Sequence, residues 1–150
     1  KFGKPCLPHH PDCTFSLSHS ADQAVLALAE GMSIGVDIER LRAVEHGDIA
    51  ARYFHANEAA WIESRQTEAE QRLAFFHMWT LKEAVAKAVG VGMSLPFSHF
   101  EVAAAPPGVL VAPPGSPGPW LLRFLDAPAG YLCALALPGV SEARVIQRTY

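Results

Sequence analysis

Cysteine is scarce in this chain: Cys6, Cys13 and Cys133 are the whole set. An odd, scattered trio gives little support to a disulfide framework and suits a reducing compartment. Charge is thin as well, at 18% of residues, and neither sign dominates: 12 Lys and Arg against 15 Asp and Glu leave a formal net charge of −3. A general nucleic-acid binder shows a basic excess that is missing here, so any recognition of phosphate has to be local. Long apolar runs are missing too. The longest, around residues 24–29 and 131–137, fall far short of the ~20 residues that a membrane-spanning helix needs. No signal-peptide pattern is visible. The first residue is Lys1 rather than Met, so the native amino terminus can lie upstream, and the cytoplasm is the default setting.

What is present points to a folded domain. Half of the residues are hydrophobic, and 150 residues fit one domain that buries roughly 68–70% of the surface its unfolded form exposes. No internal repeat is evident. The opening stretch carries Pro5, Pro8 and Pro11 and reads as an extended loop. Strands are predicted at residues 14–19, 23–29 and 34–38, followed by a short helix over 48–54 and another that Asn57 caps and that runs through Trp61. The strongest helix covers residues 68–89, rich in Ala, Leu, Glu, Gln, Lys and Met, with Gly90 and Gly92 to end it. Further strands are predicted at 99–103, 109–112, 120–125, 131–137 and 144–149. Six of the twelve prolines fall within residues 105–119, which disfavours regular structure across that connection. Strands, then helices, then strands suggest an α+β domain with a mainly antiparallel sheet packed against the long helix.

Three clusters can do chemistry. In Gly35-Val36-Asp37-Ile38-Glu39 the two carboxylates are two apart on a strand, so they share a face and can bind one hard cation. Gly35 on that face would leave space for a ligand; the bland reading is a solvated strand end. In Trp79-Thr80-Leu81-Lys82-Glu83-Ala84-Val85-Ala86-Lys87, Glu83 and Lys87 sit on neighbouring turns of a helix, with Trp79 along the same stripe. An ordinary surface ion pair worth ~0.3–0.5 kcal/mol is the bland alternative. In Phe15-Ser16-Leu17-Ser18-His19-Ser20, serine and histidine can donate hydrogen bonds to a phosphate, against a buried structural histidine. Neither a nucleophile elbow nor a Ser/His/Asp order is present, which argues against a hydrolase triad. Cys6, His9, His10 and Cys13 have the right ligand atoms for zinc but not the spacing of common zinc modules, and three prolines restrict the loop.

Taken in order, these pieces resemble the phosphopantetheinyl transferases of the larger, surfactin-synthetase-activating type. The matching string is Gly3-Lys4-Pro5, the Phe15 to Ser20 block, Gly35 to Glu39, Arg52-Tyr53-Phe54 with Glu58, and Trp79 to Lys87, which together span about the first two-thirds of the chain. The resemblance implies one of two pseudo-symmetric halves, with residues 1–150 as the catalytic, carboxyl-terminal domain. It implies a Mg²⁺ ion held by Asp37, Glu39 and Glu83, with Lys87 on a phosphate oxygen of coenzyme A. Ser18 and His19 would lie against the nucleotide end, His19 near its 3′-phosphate, and Lys4 would also face the cofactor. Glu83 would be the base and Lys87 would stabilise charge in the transition state. Glu58 and Lys82 would support. The implied reaction moves 4′-phosphopantetheine from coenzyme A to a serine of an apo carrier protein and releases adenosine 3′,5′-bisphosphate. Arg40, Arg42, Arg52 and Arg65 are possible contacts for an acidic carrier, with solvated surface charge as the bland reading.

Members of this type hold the cofactor between two similar halves, and almost nothing here precedes Gly3-Lys4-Pro5. Either the chain is a fragment or an engineered core, or a partner chain substitutes for the first half. A non-catalytic lobe that binds coenzyme A or protein is the alternative function. Another metal-dependent phosphoryl enzyme is a third.

Overall fold

The structure, a computed structural model, describes residues 7–91, 94–116 and 118–150. The elements along the chain are β1 (Cys13–Ser20), β2 (Gln23–Glu30), β3 (Gly35–Arg40), α1 (His46–Tyr53), α2 (Ala56–Glu63) and α3 (Glu68–Val89), then a 3-10 turn at Phe97–His99, β4 (Glu101–Ala104), β5 (Pro107–Val111), β6 (Trp120–Leu125) and β7 (Tyr131–Pro138). Three small sheets form, β1-β2, β3-β7-β6 and β4-β5, and every strand pair in them is antiparallel. The α+β class read from the pattern is therefore the class observed.

The long helix α3 has the bounds its composition predicts. Thr67 caps it: its hydroxyl accepts from the Glu70 N–H while the Glu70 carboxylate accepts from the Thr67 N–H, closing a capping box. Gly90 ends it in the left-handed region at φ 80°, where a side chain would be strained. The cap of α2 differs from expectation. His55, not Asn57, is the cap residue, because Glu58 lies three positions on and accepts the His55 N–H at 3.0 Å. Asn57 falls inside the first turn, and its amide donates to Glu101.

Two apolar clusters lie on opposite faces of the β3-β7-β6 sheet. On one face, Ala134, Ala136 and Leu122 pack with Ala84, Val85 and Ala88 of α3 and with Phe75, Phe76 and Phe100. On the other, Ile34, Val36, Ile38, Cys133, Leu135 and Leu137 meet Val25, Ala27 and Ala29 of the β1-β2 hairpin. Alternation along β7 thus turns Leu132, Ala134 and Ala136 toward the helix and Cys133, Leu135 and Leu137 away from it. Small residues on both sides let helix and sheet approach closely.

The hairpin is apolar on its outer side as well. Leu17, Leu26 and Leu28 are 56%, 57% and 61% exposed, so no described residue covers that face. Residues 144–149, read as a final strand, form none. The side chain of Gln147 bonds both the N–H and the C=O of Asp126, which ties the tail down without a strand ladder. Among the described residues no helix is long and apolar enough to cross a membrane.

Candidate functional site

β3 supplies the first two carboxylates. Gly35, Asp37 and Glu39 alternate onto the face that meets α3, and Gly35 sets the distance. A Cβ there would lie 2.0 Å from the Ala84 carbonyl oxygen and 2.4 Å from the Ala88 nitrogen. The expectation that Gly35 leaves room for a ligand is therefore corrected: helix backbone fills that room. The glycine lets α3 come close enough for its side chains to reach the carboxylates two and four residues along.

β1 reaches the free edge of β3 through hydroxyls. The Val36 N–H donates to Ser16 Oγ and the Arg40 N–H to Ser20 Oγ, both at 3.0 Å. Pairing advances in the same direction on both strands, so β1 runs parallel to β3. Between these two contacts the Ser18 hydroxyl donates to Asp37 Oδ1 at 2.7 Å. Serines 16, 18 and 20 fall on one face of the strand by the two-residue period, a signal that the sequence contains but that reading only Ser18 and His19 overlooked.

α3 supplies the rest. Lys87 Nζ donates to Asp37 Oδ1 at 2.7 Å and to Ser18 Oγ at 2.8 Å. The surface ion pair that could have linked Glu83 with Lys87 is not made; the lysine crosses to the sheet instead. Trp79 Nε1 donates to Glu39 Oε1 at 3.1 Å, a link between motifs that lie forty residues apart. Asp37 is almost wholly buried, and its second oxygen, Oδ2, has no hydrogen-bond partner. Burial pushes its carboxyl up to about 6, opposed by the Lys87 charge and by hydrogen bonds from Lys87 and Ser18. Glu83 goes higher, to about 7, through burial first and then the negative charge of Asp37, with Lys87 opposing.

A buried, unpartnered carboxylate oxygen beside a second carboxyl that is hard to ionise is an arrangement that an added cation relieves. Carboxylate oxygens are the donors a hard divalent ion takes, and Asp37 and Glu83 fit such an ion on these grounds. Glu39 already accepts three bonds, from Trp79, Ser20 and Arg42. Among the described residues no group of three or more His, Cys, Asp or Glu side chains is placed so as to hold a metal ion.

The remaining candidates are placed as follows. His19 is exposed, and strand alternation puts it on the opposite side of β1 from buried Ser18; it is not a buried structural histidine, and the two do not converge on one point. Lys4 and Cys6 lie outside the described residues. Glu58 and Lys82 form a buried ion pair at 2.7 Å and do not join the carboxylate cluster. Two surface hollows of about 700 and 520 Å³ are lined by other residues, the larger by Trp61, Arg65, His77 and Phe124 among them. The carboxylate cluster lies at the β3 edge, where hairpin, sheet and helix meet.

Comparison with known proteins bears on this edge. Residues 33–136 match a family model described as the 4′-phosphopantetheinyl transferase superfamily. The chain is 35% identical over 136 residues to the 4′-phosphopantetheinyl transferase ffp of Bacillus subtilis, and 33% identical over 136 residues to the 4′-phosphopantetheinyl transferase Sfp of Bacillus subtilis (strain 168). Each alignment covers 90% of this chain and 59% of the relative, so the chain spans well under two thirds of their length. Among solved structures, the Thermotoga maritima holo-[acyl-carrier-protein] synthase superposes with a TM-score of 0.58 at 20% identity, over 71% of this chain and 62% of that one. That likeness concerns the fold.

Proposed function

Because the chain belongs to the 4′-phosphopantetheinyl transferase superfamily, we propose that it carries the metal- and phosphate-binding half of a transferase site, which moves 4′-phosphopantetheine from coenzyme A to a serine of an apo carrier protein. The observation that carries the reading is the buried, unpartnered Oδ2 of Asp37 beside Glu83, with the Lys87 ammonium on the other oxygen. Asp37, Glu83 and Glu39 are the residues that would hold Mg²⁺. Such an ion, when bound, neutralises charge on phosphate oxygens in transfer at phosphorus.

The chain's own residues divide the rest of the work. Lys87, whose side chain is partly exposed, can swing from Asp37 to a diphosphate oxygen and stabilise the charge that builds there. Ser18 holds Asp37 in place through its hydroxyl. Glu83, beside Asp37 in the acidic cluster, would take the proton of the attacking serine hydroxyl. His19 faces away from this cluster and would meet a different part of a long ligand, at its nucleotide end.

Incubating the full-length protein with coenzyme A, Mg²⁺ and an apo carrier protein should add the mass of phosphopantetheine and release adenosine 3′,5′-bisphosphate. Asp37→Ala and Glu83→Gln should each lower the rate by roughly 100-fold or more with the fold intact. Near-normal turnover in both would remove the proposed metal site. A lobe that binds coenzyme A without transfer is the second reading, favoured by the lack, among the described residues, of a three-carboxylate group placed to hold a metal ion. Tight coenzyme A binding with no adduct on any carrier would select it.

A further inference from the structure

Glu39 differs from its two acidic neighbours. Asp37 keeps one oxygen unpaired, and the Glu83 side chain has no hydrogen-bond partner among the described residues, whereas both oxygens of Glu39 are engaged. On one side, Trp79 Nε1–H donates to Oε1 at 3.1 Å. On the other, the Ser20 hydroxyl at 3.3 Å and Arg42 Nη1 at 3.2 Å donate to Oε2.

The two sides are not equivalent. An indole N–H is a neutral donor that accepts no hydrogen bond and offers a metal nothing. The Trp79 ring is wedged among Phe54, Phe75 and Phe97, with centroids 6.2, 5.7 and 5.7 Å away, so it cannot turn without repacking that cluster. Arg42 is a half-exposed cation on a flexible stem, and it shares the same Nη1 with the Arg40 carbonyl. Oε1 is held by a fixed group, and Oε2 by an exchangeable one that bears positive charge.

We infer that Trp79 is a positioning residue for Glu39: its indole N–H locks Oε1 so that Oε2 is the oxygen offered to a divalent cation, and Arg42 is the charge that the cation displaces. The inference rests on the metal reading above. It gives opposite signs for two substitutions beside one carboxylate. Trp79→Phe keeps an aromatic ring in the cluster but removes the donor, so Glu39 loses its orientation and metal binding weakens. Arg42→Ala removes a competitor, so binding stays equal or tightens.

The test is a titration of the full-length protein with Mn²⁺, followed by water-proton relaxation with coenzyme A present. Trp79→Phe should raise the Mn²⁺ Kd by roughly 10-fold, while Arg42→Ala should not raise it. A second readout needs no metal-loaded activity and survives a poorly folding Phe variant. In a ¹⁵N spectrum of the wild type, the Trp79 indole signal should move in Glu39→Gln and on addition of Mg²⁺, the other indole signals far less. A Trp79→Phe variant that binds Mn²⁺ as tightly as wild type, or indole signals indifferent to Glu39→Gln, would overturn the role given to Trp79 alone. A wild-type protein that binds no divalent cation would remove the metal reading itself, and this inference with it.

Discussion

Lys82 and Glu83 are neighbours in the chain with opposite surroundings. Glu83 faces the carboxylates, whereas Lys82 is fully buried, 4.0 Å from the centre of the Phe100 ring, with Nζ bonded to Glu58 at 2.7 Å and to the Phe100 carbonyl at 2.8 Å. Glu58 in turn accepts the Val102 N–H at 2.8 Å. Burial lowers the lysine to about 8 against the pull of Glu58, so it stays charged at neutral pH. Removing one member of a buried pair leaves an uncompensated charge, and Lys82→Met should cost about 3–5 kcal/mol in urea unfolding. Many buried pairs can be exchanged for apolar residues together without loss. This one cannot, because the Phe100 carbonyl and the Val102 N–H would both be orphaned. A Glu58→Leu, Lys82→Met double variant as stable as wild type would contradict that account. In the sequence these two residues carried only a supporting role, since nothing in a string of residues shows that a lysine points into a ring of phenylalanines.

At the scale of elements, the contact between β3 and α3 is the one that assembles the site, and Gly35 is its narrowest point. Backbone atoms of Ala84 and Ala88 cannot yield as a side chain can, so Gly35→Ala should destabilise by about 3 kcal/mol or more. It should also impair metal binding, because the helix bearing Glu83 and Lys87 is pushed from the strand bearing Asp37. A shift in denaturant midpoint smaller than that of an ordinary surface glycine substitution would argue against this packing. The helix itself was legible, since composition and a terminal glycine agree over 68–89; its Thr67 cap was not read. The shared face of Asp37 and Glu39 was legible from the period of a strand. What escaped was set by partners distant in sequence. The Trp79 to Glu39 bond joins two motifs that read as independent, and Lys87 chose Asp37 over the nearer Glu83. The tail at 144–149 has a strand's composition but finds no ladder.

For the whole molecule, the two perturbed carboxyls predict how stability follows pH. Asp37 and Glu83 hold protons up to about 6 and 7 in the folded chain, from ordinary values of 3.8 and 4.5. A raised carboxyl means that the folded state binds more protons than the unfolded one between those limits, so stability falls as pH rises through them. Burial lowers the imidazole of His77 instead, which adds stability as pH rises toward the ordinary histidine range and masks part of the effect below it. Metal-free protein should therefore lose stability as pH rises from 3.8 to about 7 in denaturant titrations, and an Asp37→Asn, Glu83→Gln double variant should not. A saturating divalent ion should reverse the loss by favouring the ionised carboxylates. The alternation of β1 has a further consequence at this scale. Ser18 and His19 are adjacent in the chain yet face opposite sides of the strand, one buried and the other exposed, so a small compact anion held at one is out of reach of the other. Only an extended molecule, draped over the ridge of the hairpin, can answer to the two at once, and shortening such a molecule from either end would silence one residue while leaving its neighbour engaged.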